Sequence, residues 1–331
     1  MIYLLVASCL VSCATPRVQK NSSIAQSPRI APDRVIMDDG YELPLTVWYP
    51  EAEPRAIALA LHGFNDYRNA FSDVAPALTA DGIEVYAYDQ RGFGETKERG
   101  IWPGSERMQQ DAAITSELLC QEHPGLPLYL IGESMGGAVA MTMLENTATS
   151  CVEGVVLVAP AVWGWRTMPL WQQSALWLAA HTWPGKKLTG KGLGIMASDN
   201  IEMLRAQGRN PLVIKETRID TMYGLSELME SALLSSPRLT MPALVLYGER
   251  DEIIPAQPVC EMLTALPVRR PANWRLVLYP EGYHMLTRDL QAAVVLEDMV
   301  AWLKNRQAAL PSNLEVTTKA PRVQDLCGHL Q

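Results

Sequence analysis

Near-continuous apolar runs alternate with longer segments of helical spacing along most of the chain. Arg34 to Asp38 and Glu42 to Trp48 read as two strands about the turn Asp39-Gly40, a hairpin signal. Ala56-Ile57-Ala58-Leu59-Ala60-Leu61, Ile83 to Tyr88, Leu128 to Ile131, Val152 to Val158, Ala243 to Tyr247 and Trp274 to Leu278 are apolar throughout or nearly so. A strand covered on both faces reads this way, because helices on either side of a parallel sheet leave it no solvent face. Helical spacing follows over Phe71 to Ala80, ended by Asp81-Gly82, and over Ser105 to Cys120, with Ser105 as the expected cap. A further helix follows Leu128–Ile131 and runs to about Asn146, and a closing helix covers about Leu290 to Lys304. The rhythm predicts an α/β fold with a mostly parallel central sheet and helices on both faces. In such sheets the chemistry gathers beyond the carboxyl ends of the strands.

Two stretches break the rhythm. From Ala161 to about Pro237 helical segments dominate, roughly Pro169–His181, Asn200–Arg205 and Tyr223–Leu234. Five of the nine tryptophans fall there (Trp163, Trp165, Trp171, Trp177 and Trp183). This predicts a helical cap, 161–237, inserted into a core formed by 31–160 and 238–306. Residues 307–331 are polar and contain proline, and are expected to be a loosely held tail. At the other end, Met1 to Leu10 is mostly apolar, and a polar stretch rich in Ser, Pro, Gln and Asn follows Leu10-Val11-Ser12-Cys13. Residues 13–30 are expected to be a flexible tether.

Composition narrows the classes of partner. A chain of 331 residues that is 48% hydrophobic can build one large domain with an insertion. Its formal net charge of −8 and unclustered basic residues exclude nucleic acid as a partner. Beyond the first stretch, Cys120, Cys151, Cys260 and Cys327 fit no metal-ligand spacing. Four cysteines allow three pairings, which sequence does not choose among; free buried thiols are the expectation for most of them.

Gly132-Glu133-Ser134-Met135-Gly136-Gly137 stands directly after the strand Leu128–Ile131 and directly before a helix. Strand, G-x-S-x-G and helix in that order describe a nucleophile elbow, a strained turn that lifts one serine hydroxyl clear of the sheet. Glycine at both flanks admits the tight turn, and the helix N-terminus brings free N–H groups and positive dipole. Ser134 is the candidate nucleophile. A serine hydroxyl needs a base within reach and an acid that orients the base. Of the histidines downstream, His181 falls in the cap and His329 in the tail. His284, in Pro280-Glu281-Gly282-Tyr283-His284 after the strand Trp274–Leu278, is the candidate base. The acid should stand after the preceding strand, where Glu249, Asp251 and Glu252 compete. The oxyanion of a tetrahedral intermediate needs two donors. The backbone N–H of Met135 and that of Phe64, in the loop His62-Gly63-Phe64, are placed to supply them. His62 is expected to brace that loop by hydrogen bonding.

His62-Gly63-Phe64, Asp89-Gln90-Arg91-Gly92-Phe93-Gly94, the serine turn, Gly248-Glu249-Arg250-Asp251 and Gly282-Tyr283-His284 occur in the order of one family. The chain resembles the α/β-hydrolases of the monoacylglycerol lipase and lysophospholipase group over roughly residues 34 to 304. The resemblance implies the triad Ser134, Asp251 and His284, with Glu249 and Glu252 lining a solvated loop. It also implies an oxyanion hole at Phe64 and Met135 and no metal or organic cofactor. Its usual D-x-R-G-x-G-x-S is departed from by Glu95-Thr96, in a loop read as structural. The implied reaction is hydrolysis of a carboxylic ester with a single fatty acyl chain, the cap supplying an acyl-chain pocket. Rival readings are a short-chain carboxylesterase, thioesterase or amidase of the same fold, and a non-catalytic lipid-binding lipoprotein. The first residues resemble a bacterial lipoprotein leader, although no Lys or Arg precedes the apolar run. That resemblance implies cleavage before Cys13, lipidation of Cys13 (with Cys9 as runner-up), and a place in the bacterial cell envelope. The membrane would then be met through the lipid anchor and the cap surface.

Overall fold

A computed structural model describes residues 14–20, 25–146, 151–267 and 273–328. Cys9 and Cys13 lie outside the described residues. Strands β1 (Arg29–Ala31), β2 (Arg34–Ile36), β3 (Glu42–Trp48), β4 (Ala56–Leu61), β5 (Ile83–Tyr88), β6 (Leu128–Glu133) and β7 (Val152–Val158) precede the expected insertion. β10 (Ala243–Gly248), β11 (Trp274–Tyr279) and the short β12 (Glu315–Val316) follow it, after a two-residue pair β8 (Lys187–Leu188) and β9 (Thr217–Arg218) within it. The main sheet runs β1-β2-β3-β5-β4-β6-β7-β10-β11-β12. The strands from β5 to β11 in that order are parallel, while β1, β2, β3 and β12 pair antiparallel.

The helices are α1 (Ala75–Thr79), α2 (Ser105–Glu122), α3 (Met135–Asn146), α4 (Leu170–Thr182), α5 (Ile201–Arg209), α6 (Ile219–Ser235), α7 (Ala256–Ala265), α8 (Ala292–Lys304) and α9 (Pro321–Cys327). β4 shows why its sequence is apolar without a break. Ile57, Leu59 and Leu61 join a core with Met108 of α2 and Ala138 of α3, while Ala56, Ala58 and Ala60 join a second core with Leu78 of α1 and Trp302 of α8. Both faces are buried, so neither register position is free to be polar.

Several expectations are corrected. Ser105 is not a cap: Gly104, at φ 91°, precedes the helix and no side chain caps it. The helix expected over Phe71–Ala80 is a tight turn, Arg68–Phe71, followed by the shorter α1, which begins at Ala75 with Pro76 in its first turn. The four cysteines are not free thiols. Cys120 pairs with Cys151 and Cys260 with Cys327, with Cα atoms 5.8 and 5.7 Å apart. Cys120 lies near the end of α2, and Cys151 just before β7, the neighbour of β6.

Segments near both ends of the described residues are also held. β12 adds to the sheet edge beside β11, Arg275 clasps Glu315, and Cys327 ties α9 to α7. Within the expected tether, Ala14 N–H donates to His181 O at 2.9 Å and Arg17 N–H to Asp220 Oδ2 at 3.1 Å. Gln19 N–H donates to Trp102 O at 2.8 Å. Backbone bonds of this kind leave no trace in composition, which is why the polar stretch reads as loose.

Candidate active site

Loops at the carboxyl ends of β4, β6, β10 and β11 carry the candidate residues. Ser134 follows β6 and opens α3 at φ 52°, a left-handed conformation costly for a side chain and kept where a turn is over-determined by its surroundings. A Cβ at Gly132 would meet Gly136 O at 2.6 Å, and one at Gly136 would collide with Leu61 O. The close approach of these backbones holds the turn in its strained form. Ser134 N–H donates to Val158 O at 2.9 Å, and Ser134 O accepts from Ala161 N–H at 3.0 Å.

Asp251 follows β10 and His284 follows β11, and the parallel pairing of those strands brings their loops side by side. His284 Nδ1–H donates to Asp251 Oδ2 at 2.8 Å. Asp251 Oδ1 accepts from Ile253 and Ile254 N–H at 2.8 and 2.9 Å, so the carboxylate is fixed from both sides. Burial alone would lower the affinity of His284 for a proton; the adjacent Asp251 overrides it and holds the ring above its ordinary pKa. Nε2 of the ring is left free of Asp251 and able to take a proton. No hydrogen bond joins Ser134 Oγ to the ring.

The loop His62-Gly63-Phe64 lies against the serine, with a Cβ built on Gly63 3.4 Å from Ser134 Cβ. Gln90 N–H donates to His62 Nε2 at 2.9 Å, so the ring proton sits on Nδ1 and donates to Gly63 O at 2.8 Å. Burial lowers the pKa of His62, which keeps the ring neutral as this arrangement requires. His62 thus braces the loop. Met135 is the first residue of α3, where an N–H has no partner within the helix. Among the described residues neither Phe64 N–H nor Met135 N–H has a hydrogen-bond acceptor. Behind them, Asp89 accepts from Arg68 and from Glu95 N–H, while Arg91 bridges Asp39 and Asp111. Thr96 accepts from Gly92 N–H and donates to Phe93 O, closing that loop.

The family model described as serine aminopeptidase, S33 matches residues 52–291. The chain belongs to this family. Monoglyceride lipase of Mus musculus is 26% identical to it over 302 residues, covering 86% of this chain and 97% of that protein. A protein of Schizosaccharomyces pombe named putative monoglyceride lipase is 34% identical over 264 residues, covering 76% and 68%. Among solved structures, a soluble variant of monoglyceride lipase from Saccharomyces cerevisiae in complex with a substrate analog aligns with a TM-score of 0.71 at 19% identity. That alignment covers 88% of this chain and 100% of that one. The fold is that of the α/β-hydrolases, and this S33 protein is a carboxylic ester hydrolase.

Its acid loop differs in detail from the sequence reading. Glu249 and Glu252 keep solvent access, as expected, but each is also held: Glu249 accepts twice from Arg322 of α9, at 3.0 and 2.6 Å, and Glu252 accepts from Met196 N–H at 2.7 Å. Sequence reasoning also missed Asp66, Arg288 and Asp289, buried polar residues within a few positions of Phe64 or His284. Asp289 accepts from Tyr283 N–H at 2.7 Å and from Ser198 Oγ at 2.6 Å, joining the histidine loop to the 161–237 segment. In that segment Trp171, Trp177 and Trp183 are 70%, 53% and 67% exposed, so they do not form a small core of its own. A cavity of about 560 Å³ lies among Trp165, Trp177, Leu178 and Tyr223.

Proposed function

We propose that this chain hydrolyses esters carrying a single fatty acyl chain, monoacylglycerols or lysophospholipids, through an acyl-enzyme on Ser134. The observation that carries the reading is the 2.8 Å bond from His284 to Asp251, at the same sheet edge as a serine held at positive φ. Ser134 Oγ attacks the ester carbonyl carbon as His284 Nε2 takes its proton, and Asp251 stabilises the imidazolium that results. The negative charge formed on the carbonyl oxygen is met by the N–H groups of Phe64 and Met135, each donor of this kind contributing about 10²–10³ in turnover. Collapse of the intermediate returns the proton from His284 to the departing alcohol. Water, deprotonated by the same ring, then releases the fatty acid. No step calls on a metal or organic cofactor.

The substrate class is supported by relatives named monoglyceride lipase in Mus musculus and monoacylglycerol lipase in Mycolicibacterium smegmatis. We read residues 161–237 as a cap over the site. Its exposed aromatic surface suits substrates that collect in membranes. We also propose that Cys13 carries a lipid anchor in a bacterial cell envelope. Two disulfides suit an oxidising compartment. The bond from Ala14 to the end of α4 would put such an anchor beside the exposed tryptophans. Rates on a series of monoacyl esters of increasing chain length test the substrate class. Turnover should rise to a long-chain optimum; a profile that falls beyond short acyl chains would replace this reading with that of a short-chain esterase. Comparing ester, thioester and amide of one acyl group separates the remaining rivals.

A further inference from the structure

A buried ionic cluster lies beside the site, and the reaction just described does not use it. Asp66, Glu133 and Arg288 are 5%, 2% and 8% exposed. Arg288 Nη1 donates to Asp66 Oδ2 at 2.7 Å, and Nη2 donates to Glu133 Oε1. Asp66 and Arg288 come from two different loops at the carboxyl edge of the sheet, and Glu133 is the last residue of β6. Asp66 is two residues beyond Phe64, Glu133 immediately precedes Ser134, and Arg288 is four residues beyond His284. The cluster is fixed from outside as well. Asp66 accepts from Tyr67 N–H at 2.9 Å and from Gln207 Nε2 at 3.0 Å, and Arg288 O accepts from Asn200 Nδ2 at 3.0 Å.

Three dehydrated charges make a poor staple if stability is the only end, because apolar side chains of equal volume commonly do as well or better. What the guanidinium adds is geometry. Its planar fork holds two carboxylates at a set separation and angle, which a flexible ammonium does not. We propose that Arg288 is a positioning residue whose guanidinium fixes the oxyanion loop, the serine turn and the histidine loop relative to one another. This rests on the roles given above to Phe64, Ser134 and His284. Acyl transfer needs the attacking oxygen, the base and the oxyanion donors in register, and a displacement of about 1 Å can cost on the order of 100-fold.

The charges around His284 supply a signature that a merely structural role would not give. The ring faces Asp251 from the loop after β10, Glu133 from the serine turn and Arg288 from its own loop. Asp289 bonds the neighbouring Tyr283 N–H, and Asp66 lies on the far side of Arg288. The carboxylate of Glu133 favours the protonated ring, and Arg288 opposes it.

The test compares Arg288→Lys and Glu133→Gln with the parent protein well below the unfolding temperature. Competent sites are counted by stoichiometric fluorophosphonate labelling, and kcat, KM and the pH profile of kcat/KM are measured. Arg288→Lys keeps the charge and loses the fork. It should lose about 10- to 100-fold in kcat per competent site, with KM within about threefold and the acid limb of the profile unmoved. Glu133→Gln keeps an acceptor for Nη2 and loses the charge. It should move the acid limb to lower pH, a shift that NMR titration of the His284 ring reads without turnover. A kcat for Arg288→Lys within about twofold of the parent, or an acid limb in Glu133→Gln that stays or moves up, overturns the proposal. Should Arg288→Lys not fold, Asp66→Ala, which frees one arm of the fork, decides on the same readout: a loss of about tenfold or more in kcat per competent site supports the proposal, and a kcat within about twofold of the parent overturns it. Equal labelling of the parent and of Ser134→Ala would instead overturn the assignment of the nucleophile, so the two failures are distinguishable.

Discussion

In the proposed mechanism Asp251 acts on the reaction through a single hydrogen bond, from His284 Nδ1–H. Asp251→Asn would leave the ring nearly in place but remove the charge that raises its affinity for a proton. The expected result is a fall of about 10⁴-fold in kcat and an acid limb displaced to lower pH, read from the pH profile of kcat/KM. Asp289 makes a different use of burial. Its carboxyl is pushed up to about 6 by burial, against about 3.9 in an unfolded chain. A raised pKa means that the folded protein binds this proton more tightly, so the stability it contributes is full below about pH 4 and lost as pH rises through about 6. Asp289→Asn mimics the neutral form. Its melting temperature should therefore gain on the parent between pH 4 and pH 7, which scanning calorimetry across that range checks. Ser134 and His284 could be nominated from sequence because each chemical role demands a residue type at a strand end, whereas only the family resemblance separates Asp251 from Glu249 and Glu252. Arg288 could not be nominated, since its partner Glu133 lies 155 positions away and a lone arginine in a loop reads as solvated.

The strands are the most legible elements because burial on both faces leaves a continuous apolar run, as β4 does. Helix ends read less well. The start of α2 is set by Gly104 rather than by the Ser105 side chain, and nothing in the spacing revealed α7. The last residues misread most clearly. Their polarity suggested a tail, but β12 needs only two residues of backbone pairing, and α9 is fixed by a disulfide and by Arg322. Cys260 and Cys327 enclose 67 residues of sequence separation. Replacing both by alanine should lower stability to denaturant by about 2–5 kcal/mol, mainly by freeing the unfolded chain. The loop of Asp251 should also become more susceptible to proteolysis, because Arg322 of the released helix holds Glu249.

Taken as one body, the molecule has its candidate site residues on one edge of the sheet and much of its exposed apolar surface on α4 and the segment after it. Leu170, Trp171, Trp177, Leu178 and Trp183 are all exposed there. Among the described residues no helix is long and apolar enough to cross a membrane. Trp171→Ser/Trp177→Ser/Trp183→Ser should therefore lower the rate on monoacylglycerol presented in anionic vesicles about tenfold or more while sparing a soluble short-chain ester. Flotation of the protein with the same vesicles reads the binding directly. The family match, residues 52–291, leaves out both the strand of chain from Ala14 to Gln19 and the C-terminal β12 and α9. The first flank bonds to His181, Asp220 and Trp102, and the second is joined to β11 and α7.

The proposed reaction requires above all that Ser134 be a nucleophile driven by His284. Intact and peptide mass spectrometry after brief treatment with a fluorophosphonate tests this directly. The expected result is one adduct per chain, located on Ser134, absent from Ser134→Ala and formed at least about 10³-fold more slowly in His284→Ala. An adduct on another residue, or one formed at the parental rate without His284, would contradict it.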